Sequence, residues 1–193
     1  MHRLKLLKLL EQYTPHSQEE NATKEKIIVF INENYNCFDR KLETGHITGS
    51  AWLLNKQADK ALLMHHAKLN IWVQPGGHAD GDSDILSVAI REAQEESGIK
   101  DIEAVDTNIF DIDIHLIPEN SKEKSHYHYD IRFLLQAKNN EELCLNDEAK
   151  ELKWVDQNEI TILTNQQSII RMYNKSLHMM PTINGNSFAS NKT

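Results

Sequence analysis

The sequence predicts an α/β protein, a mixed sheet packed between helices. Three observations predict it. The first forty or so residues contain no glycine and read as helices. From Gly45 onward the chain turns to strand-like segments around one amphipathic helix. A last short strand near Glu151 is followed by helix again, and this order implies a layered sheet with helices on it.

Taken in order, Met1 to Leu10 is an amphipathic helix with Leu4, Leu6, Leu7, Leu9 and Leu10 as its apolar face. Lysines interrupt it and no small-residue cleavage site follows, so a signal peptide is not expected. Thr14-Pro15 breaks it. A second helix is expected from near Ser17 to Tyr35, with Ile27, Ile28, Phe30 and Ile31 inward. Strands are expected at His46 to Leu54 and Lys60 to His66, joined by a polar hairpin turn, Asn55 to Asp59. Pro75-Gly76-Gly77 reads as a breaker, and Gly77 to Asp84 as an Asp-rich loop. Ser83 or Asp84 then caps a helix that runs to about Ser97, with Ile85, Val88 and Ala89 buried and Gly98 ending it. Single strands are expected at Glu103 to Leu116, Tyr127 to Ala137 and Glu151 to Val155. Helices near Gln157 to Leu163 and Gln166 to Leu177 finish the fold, and the Asn/Ser/Gly-rich tail is read as loose. The expected division is a helical extension over 1–40, a domain over 41–180 and a tail over 181–193.

Composition narrows the function. Net charge is −8, which disfavours a long nucleic acid held by its backbone. A small polyphosphate remains open, because a bound cation can supply positive charge locally. No run approaches the roughly 18 apolar residues of a membrane span. Cys37 and Cys144 are in no metal spacing, which suits a reducing cytoplasm. The N-terminal helices are a candidate surface for pairing two chains into a homodimer.

The informative segment is Gly76 to Ile99. Glu92, Glu95 and Glu96 fall on one helical stripe near the helix C-terminus. Like charges four apart destabilise a helix by roughly 0.2–0.5 kcal/mol, and the negative end of the macrodipole disfavours each acid by a further ~0.3–1 kcal/mol. A solvated acidic face, with Arg91 paired to Glu95, is the plain alternative. Local physics opposes the arrangement twice, so a hard divalent cation bound by carboxylates is the natural counterweight.

The frame around these acids resembles the Nudix box, G-x5-E-x7-R-E-U-x-E-E-x-G-U, where U is aliphatic. Gly77, Arg91, Glu92, Glu95, Glu96 and Gly98 match it, Ile99 fills the last U and Ala93 the first. Six such matches arise by chance with odds on the order of one in 100,000. The glutamate expected at position 83 is Ser83; Asp80, Asp82 and Asp84 stand nearby. The order GHITGSAWLL, HHAKLNIWVQPGGHADGD, the box, HYHYDIRFL and LKWV looks like a Nudix subfamily with a helical N-terminal extension.

That resemblance implies a Nudix α/β/α sandwich, N-terminal helices aside, and a magnesium-dependent hydrolase of phosphoanhydride bonds, with manganese as the alternate ion. The implied substrate is a nucleoside diphosphate linked to another moiety. Glu92, Glu95 and Glu96 are the implied metal ligands; Glu95, Glu92 and Arg91 the catalytic candidates, with Arg91 orienting the acids. Gly76 and Gly77 shape a turn before the helix. Substrate-binding candidates are Gly77, His78, Trp72, His128 and Asp130. His126, His128 and Asp130 alternate, so a strand points them to one face. Asp80, Asp82 and Glu148 are further candidates, while His65-His66 flank the site and His46 and Cys37 are read as core. A nucleotide-binding sensor of the same fold that has lost catalysis is the alternative. Isomerase chemistry on isoprenoid substrates would want a cysteine beside the acids, and Cys37 has no such context.

Overall fold

The computed structural model describes residues 2–119 and 124–183. Two helices come first, α1 (Leu4–Gln12) and α2 (Gln18–Glu33). Ser17 caps α2 by accepting the Glu20 N–H. Eight strands follow, β1 (Gly45–Leu54), β2 (Ala61–His66), β3 (Trp72–Val73), β4 (Gly76–His78), β5 (Ile102–Ala104), β6 (Asp111–Ile117), β7 (His126–Ala137) and β8 (Ala149–Val155). Helix α3 (Ile85–Ser97) lies between β4 and β5, and α4 (Gln157–Leu163) and α5 (Gln167–Ile183) end the described chain. No helix among the described residues is long and apolar enough to cross a membrane.

One branched sheet joins all eight strands. Its spine is β1 parallel to β7, paired along their length from Gly45↔Tyr127 to Leu54↔Gln136. Every other pairing is antiparallel. Strands β4 and β2 pair with successive parts of β1, and β6 and β5 with successive parts of β7. Strand β8 pairs with β2.

Alternation sorts the two faces of the spine. Ile47, Ala51, Leu53, Ile131, Phe133 and Leu135 join a core with α1, α2 and α3. Trp52, Leu54 and Leu134 face a second core built on α4 and α5 through Ile160, Ile169, Met172 and Tyr173. On that second face, beyond the apolar part, the spine carries His46, Thr48, Ser50, His128, Asp130 and Arg132, which turn it polar.

Three expectations need correction. The segment Pro75-Gly76-Gly77 is not a turn: Gly76 to His78 is a strand whose register with β1 is Ser50↔Gly76 and Thr48↔His78. Neither Gly76 nor Gly77 has a positive φ, so the glycines answer to close approach rather than to chain reversal. The single strand expected over Glu103 to Leu116 is two, β5 and β6. Asp106 interrupts it, its carboxylate accepting the backbone N–H of Asn108 at 3.1 Å and closing an Asx turn. The first helix starts at Leu4 rather than Met1. The hairpin at Asn55–Asp59 is present, with Asn55 Oδ1 accepting the N–H groups of Asp59 and Lys60. Of the tail, residues 184–193 lie outside the described residues.

Candidate active site

Helix α3 is positioned by its apolar stripe. Ile85, Val88, Ala89 and Ala93 are buried against the sheet, which turns the acids at 92, 95 and 96 toward β4 and the helix end. Asp84 stands at the N-cap, its carboxylate bonded to Lys5 at 2.6 Å. Gly98, with φ 77°, closes the helix by donating to the Gln94 carbonyl at 3.0 Å, as a left-handed terminal residue does at little cost when it has no Cβ.

The acids pack onto the glycine strand. The Gly76 N–H donates to Glu96 Oε2 at 2.8 Å. A Cβ on Gly77 would sit 2.3 Å from Glu92 Oε2, and one on Gly76 would sit 2.2 Å from Ser50 Oγ. Only glycine lets the strand pass between β1 and the helix acids. Arg91 donates to Glu92 Oε1 at 2.8 Å and to the His78 carbonyl at 3.2 Å. Arg91 is therefore tied to Glu92 and to β4, where a pair with Glu95 was the plain alternative.

Electrostatics single out Glu96. Its residue is 4% exposed. Burial pushes its carboxyl up to about 8; the Gly76 N–H opposes this, while Glu92, Glu148 and Glu95 add to it. Burial also raises Glu92, against its bond to Arg91 and with help from Glu95 and Glu148. Glu148 comes from the turn before β8 and Glu95 is exposed at the helix end. Glu92, Glu95, Glu96 and Glu148 are thus near enough to act on one another's charge, with Arg91 bonded to Glu92, although among the described residues only the histidines bring three ligand atoms within 4.8 Å. An all-oxygen set that resists its own ionisation fits a hard divalent cation.

The other candidates scatter. Asp80 is exposed and paired with Arg40, which holds its carboxyl below the usual range. Asp82 Oδ1 accepts the Asp84 N–H at 2.9 Å within the loop before α3, and Ser83 lies in that loop. Asp130 is 1% exposed. Its carboxylate accepts from Thr48, Ser50 and Arg132 at 2.9, 2.7 and 2.7 Å and from Gln74 at 3.3 Å, which leaves little capacity for a ligand. Trp72 stacks on His65 with ring centroids 5.2 Å apart. His66 Nδ1 accepts the N–H groups of Lys68 and Leu69 and caps a turn.

His78 and His128 do come together, and they bring His46 with them; the three rings lie 4.9 to 5.0 Å apart. His46 is core in burial but not in chemistry, since its ring nitrogens make no well-formed hydrogen bond beyond a loose approach to the Leu42 backbone. Its alternation with Thr48 and Ser50 was visible in the sequence, but its place opposite His128 depends on the parallel register of β1 and β7.

Comparison with known proteins gives family and fold. A family model described as NUDIX domain matches residues 46–175. A curated protein of Lactococcus lactis subsp. cremoris named "Probable DHNTP pyrophosphohydrolase" is 31% identical over 136 residues, covering 69% of this chain and 80% of its own. Among solved structures, a C. elegans Ap4A hydrolase binary complex superposes with TM-score 0.55 at 19% identity, over 70% of this chain and 98% of its own. The E. coli dihydroneopterin triphosphate pyrophosphohydrolase gives TM-score 0.50 at 12% identity, over 70% and 95%. These two likenesses are of fold.

Proposed function

The chain belongs to the Nudix family and is a Nudix hydrolase, and from that premise we propose that it uses magnesium to cleave a phosphoanhydride bond in a nucleoside diphosphate linked to another moiety. The observation that carries this reading is the crowding of Glu92 and Glu96 against a strand of two glycines. Such crowding costs stability in the metal-free protein and is useful only where a cation relieves it.

Glu92 and Glu96 would hold the magnesium, with Glu95 and Glu148 completing an oxygen set. A bound divalent ion there supplies charge neutralisation on the phosphoryl oxygens and a lowered pKa for the attacking water. The chain's own work is orientation. Arg91 fixes the Glu92 carboxylate, and the Gly76 N–H fixes that of Glu96, so neither has to reorganise during the reaction. Glu95 and Glu92 are the two candidate bases for the water proton. His78 and His128 stand on the sheet face opposite α3, and Trp72 is the candidate platform for a base.

The name of the curated relative favours a second substrate, dihydroneopterin triphosphate. The test is a panel holding nucleotide sugars, ADP-ribose, dinucleoside polyphosphates, nucleoside triphosphates and dihydroneopterin triphosphate, assayed with magnesium for phosphate, pyrophosphate or nucleotide release. Turnover of at least one member, reduced by Glu96→Gln about 100-fold or more through loss of the metal, is the expected outcome. Tight binding of a nucleotide with no turnover of any would point instead to a sensor.

A further inference from the structure

The sheet face opposite α3 gathers a second set of ligand atoms. His46 on β1, His78 on β4 and His128 on β7 come from three adjoining strands. Each offers one ring nitrogen such that all three lie within 4.8 Å of one another. The ring centroids make a nearly equilateral triangle, with sides of 4.9, 4.9 and 5.0 Å. Successive residues of a strand point to opposite faces. Gly77 therefore meets Glu92 while His78 turns away from it, and the two clusters stand back to back across β4.

Two observations separate this cluster from a packed row of rings. His46 is 2% exposed, and its ring nitrogens make no hydrogen bond of good geometry, with only a loose approach to the Leu42 backbone. Buried imidazole nitrogens are ordinarily bonded, because an unmade bond there is costly; a ligated lone pair would relieve one of them. The second observation is that three different strands bring one nitrogen of each ring within 4.8 Å of the others, while His126 Nε2 hydrogen-bonds to His128 Nε2 at 3.3 Å and holds that ring in place.

We propose that His46, His78 and His128 form a metal site for a borderline divalent transition cation, with zinc as the reference ion, distinct from the carboxylate site on α3. Imidazole donors suit zinc, copper and nickel, whereas magnesium takes oxygen. Burial first, then the neighbouring rings, hold His46 down to about 4 and lower His128 as well. Both therefore stand in the neutral form that donates a lone pair. Three imidazoles leave a fourth position, beside which His126 stands. The ion would pin the end of β4 to the β1–β7 spine.

Protein stripped with a chelator is returned to a buffer holding excess magnesium and titrated with Zn2+ against a chromophoric competitor. A parallel titration with Co2+ reads the ligand-field spectrum. The expected result is one zinc per chain, not displaced by magnesium, and a cobalt spectrum of low-coordinate nitrogen ligation. His46→Gln, His78→Gln and His128→Gln each weaken zinc by more than the roughly 10–100-fold that loss of an outer partner costs. His16→Gln, an exposed histidine outside both clusters, leaves the affinity unchanged. Nitrogen NMR of the unaltered protein guards against a misfolded variant, since zinc should shift the rings of His46, His78 and His128. Zinc that binds His78→Gln as tightly as the parent, or that needs Glu96 while those rings stay unmoved, overturns the proposal.

Discussion

Glu96 sets burial against charge more sharply than any other acid on α3. A glutamate of the unfolded chain ionises near ~4.3, whereas in the fold burial above all, then the neighbouring acids, raise this one to about 8. A pKa raised by folding gives a contribution that is whole below the unfolded value and is lost as pH climbs through the folded one. Chelator-treated protein should accordingly lose stability between about pH 5 and pH 8, and Glu96→Gln should flatten that slope. Urea denaturation at a series of pH values reads it, and an unaltered slope in the variant would remove Glu96 as its source. Gly77→Ala makes the complementary case. Its added methyl meets the Glu92 carboxylate, so magnesium affinity measured by calorimetry should fall about tenfold or more while far-ultraviolet dichroism stays unchanged. The five box positions from Arg91 to Gly98 were readable because their meaning lies in spacing along one helix and its cap. The roles of Gly76, Gly77 and His46 were not, because each depends on what a neighbouring strand or helix brings to it.

Among the elements, α5 is held to the sheet by charge as well as by packing. Asp111 on β6 is fully buried and receives Arg132 at 3.1 Å, Arg171 at 2.8 Å and Lys175 at 2.6 Å. Lys175 reaches on to Glu20 at 3.0 Å, so α2, β6 and α5 meet in one network. Removing one partner from a buried ionic cluster strands the others, at roughly 3–5 kcal/mol. Asp111→Asn should lose stability on that scale in urea. Lys124→Met, which breaks an exposed pair with Glu43, should move it by about 0–1 kcal/mol. The alternation of Asp111, Asp113 and His115 signalled a strand, yet nothing local named the partners, which lie as far as 64 residues along the chain. The same limit explains β4. A Pro-Gly-Gly run has the composition of a turn, and only the space between Ser50 and Glu92 makes it a strand.

At the scale of the molecule, the N-terminal helices are part of the core. Leu6, Leu10, Ile27 and Ile31 are at most 1% exposed and share one cluster with the spine. Each such side chain contributes about 1.5–3 kcal/mol when buried, and four together rival the ~5–15 kcal/mol by which a domain is stable. A chain lacking residues 1–40 should therefore fail to give a cooperative thermal transition, and a sharp one in scanning calorimetry would refute this. Leu4, expected on the apolar face of the first helix, is instead exposed, as is Val29 on the second. The layered architecture was legible, since strand periods and helix stripes need no partner to be seen; the branching of the sheet around β1 and β7 was not, because parallel pairing leaves no mark on either strand alone. Strand β4 is only three residues long, and it carries an imidazole on one side and the bare α-carbon of Gly77 on the other. Whatever tilts it is felt on both. Since linkage between two sites is reciprocal, an ion that tightens the histidine side and improves the fit of the glutamates must itself be held more firmly once the glutamates are filled, so occupancy of either face would report on the other.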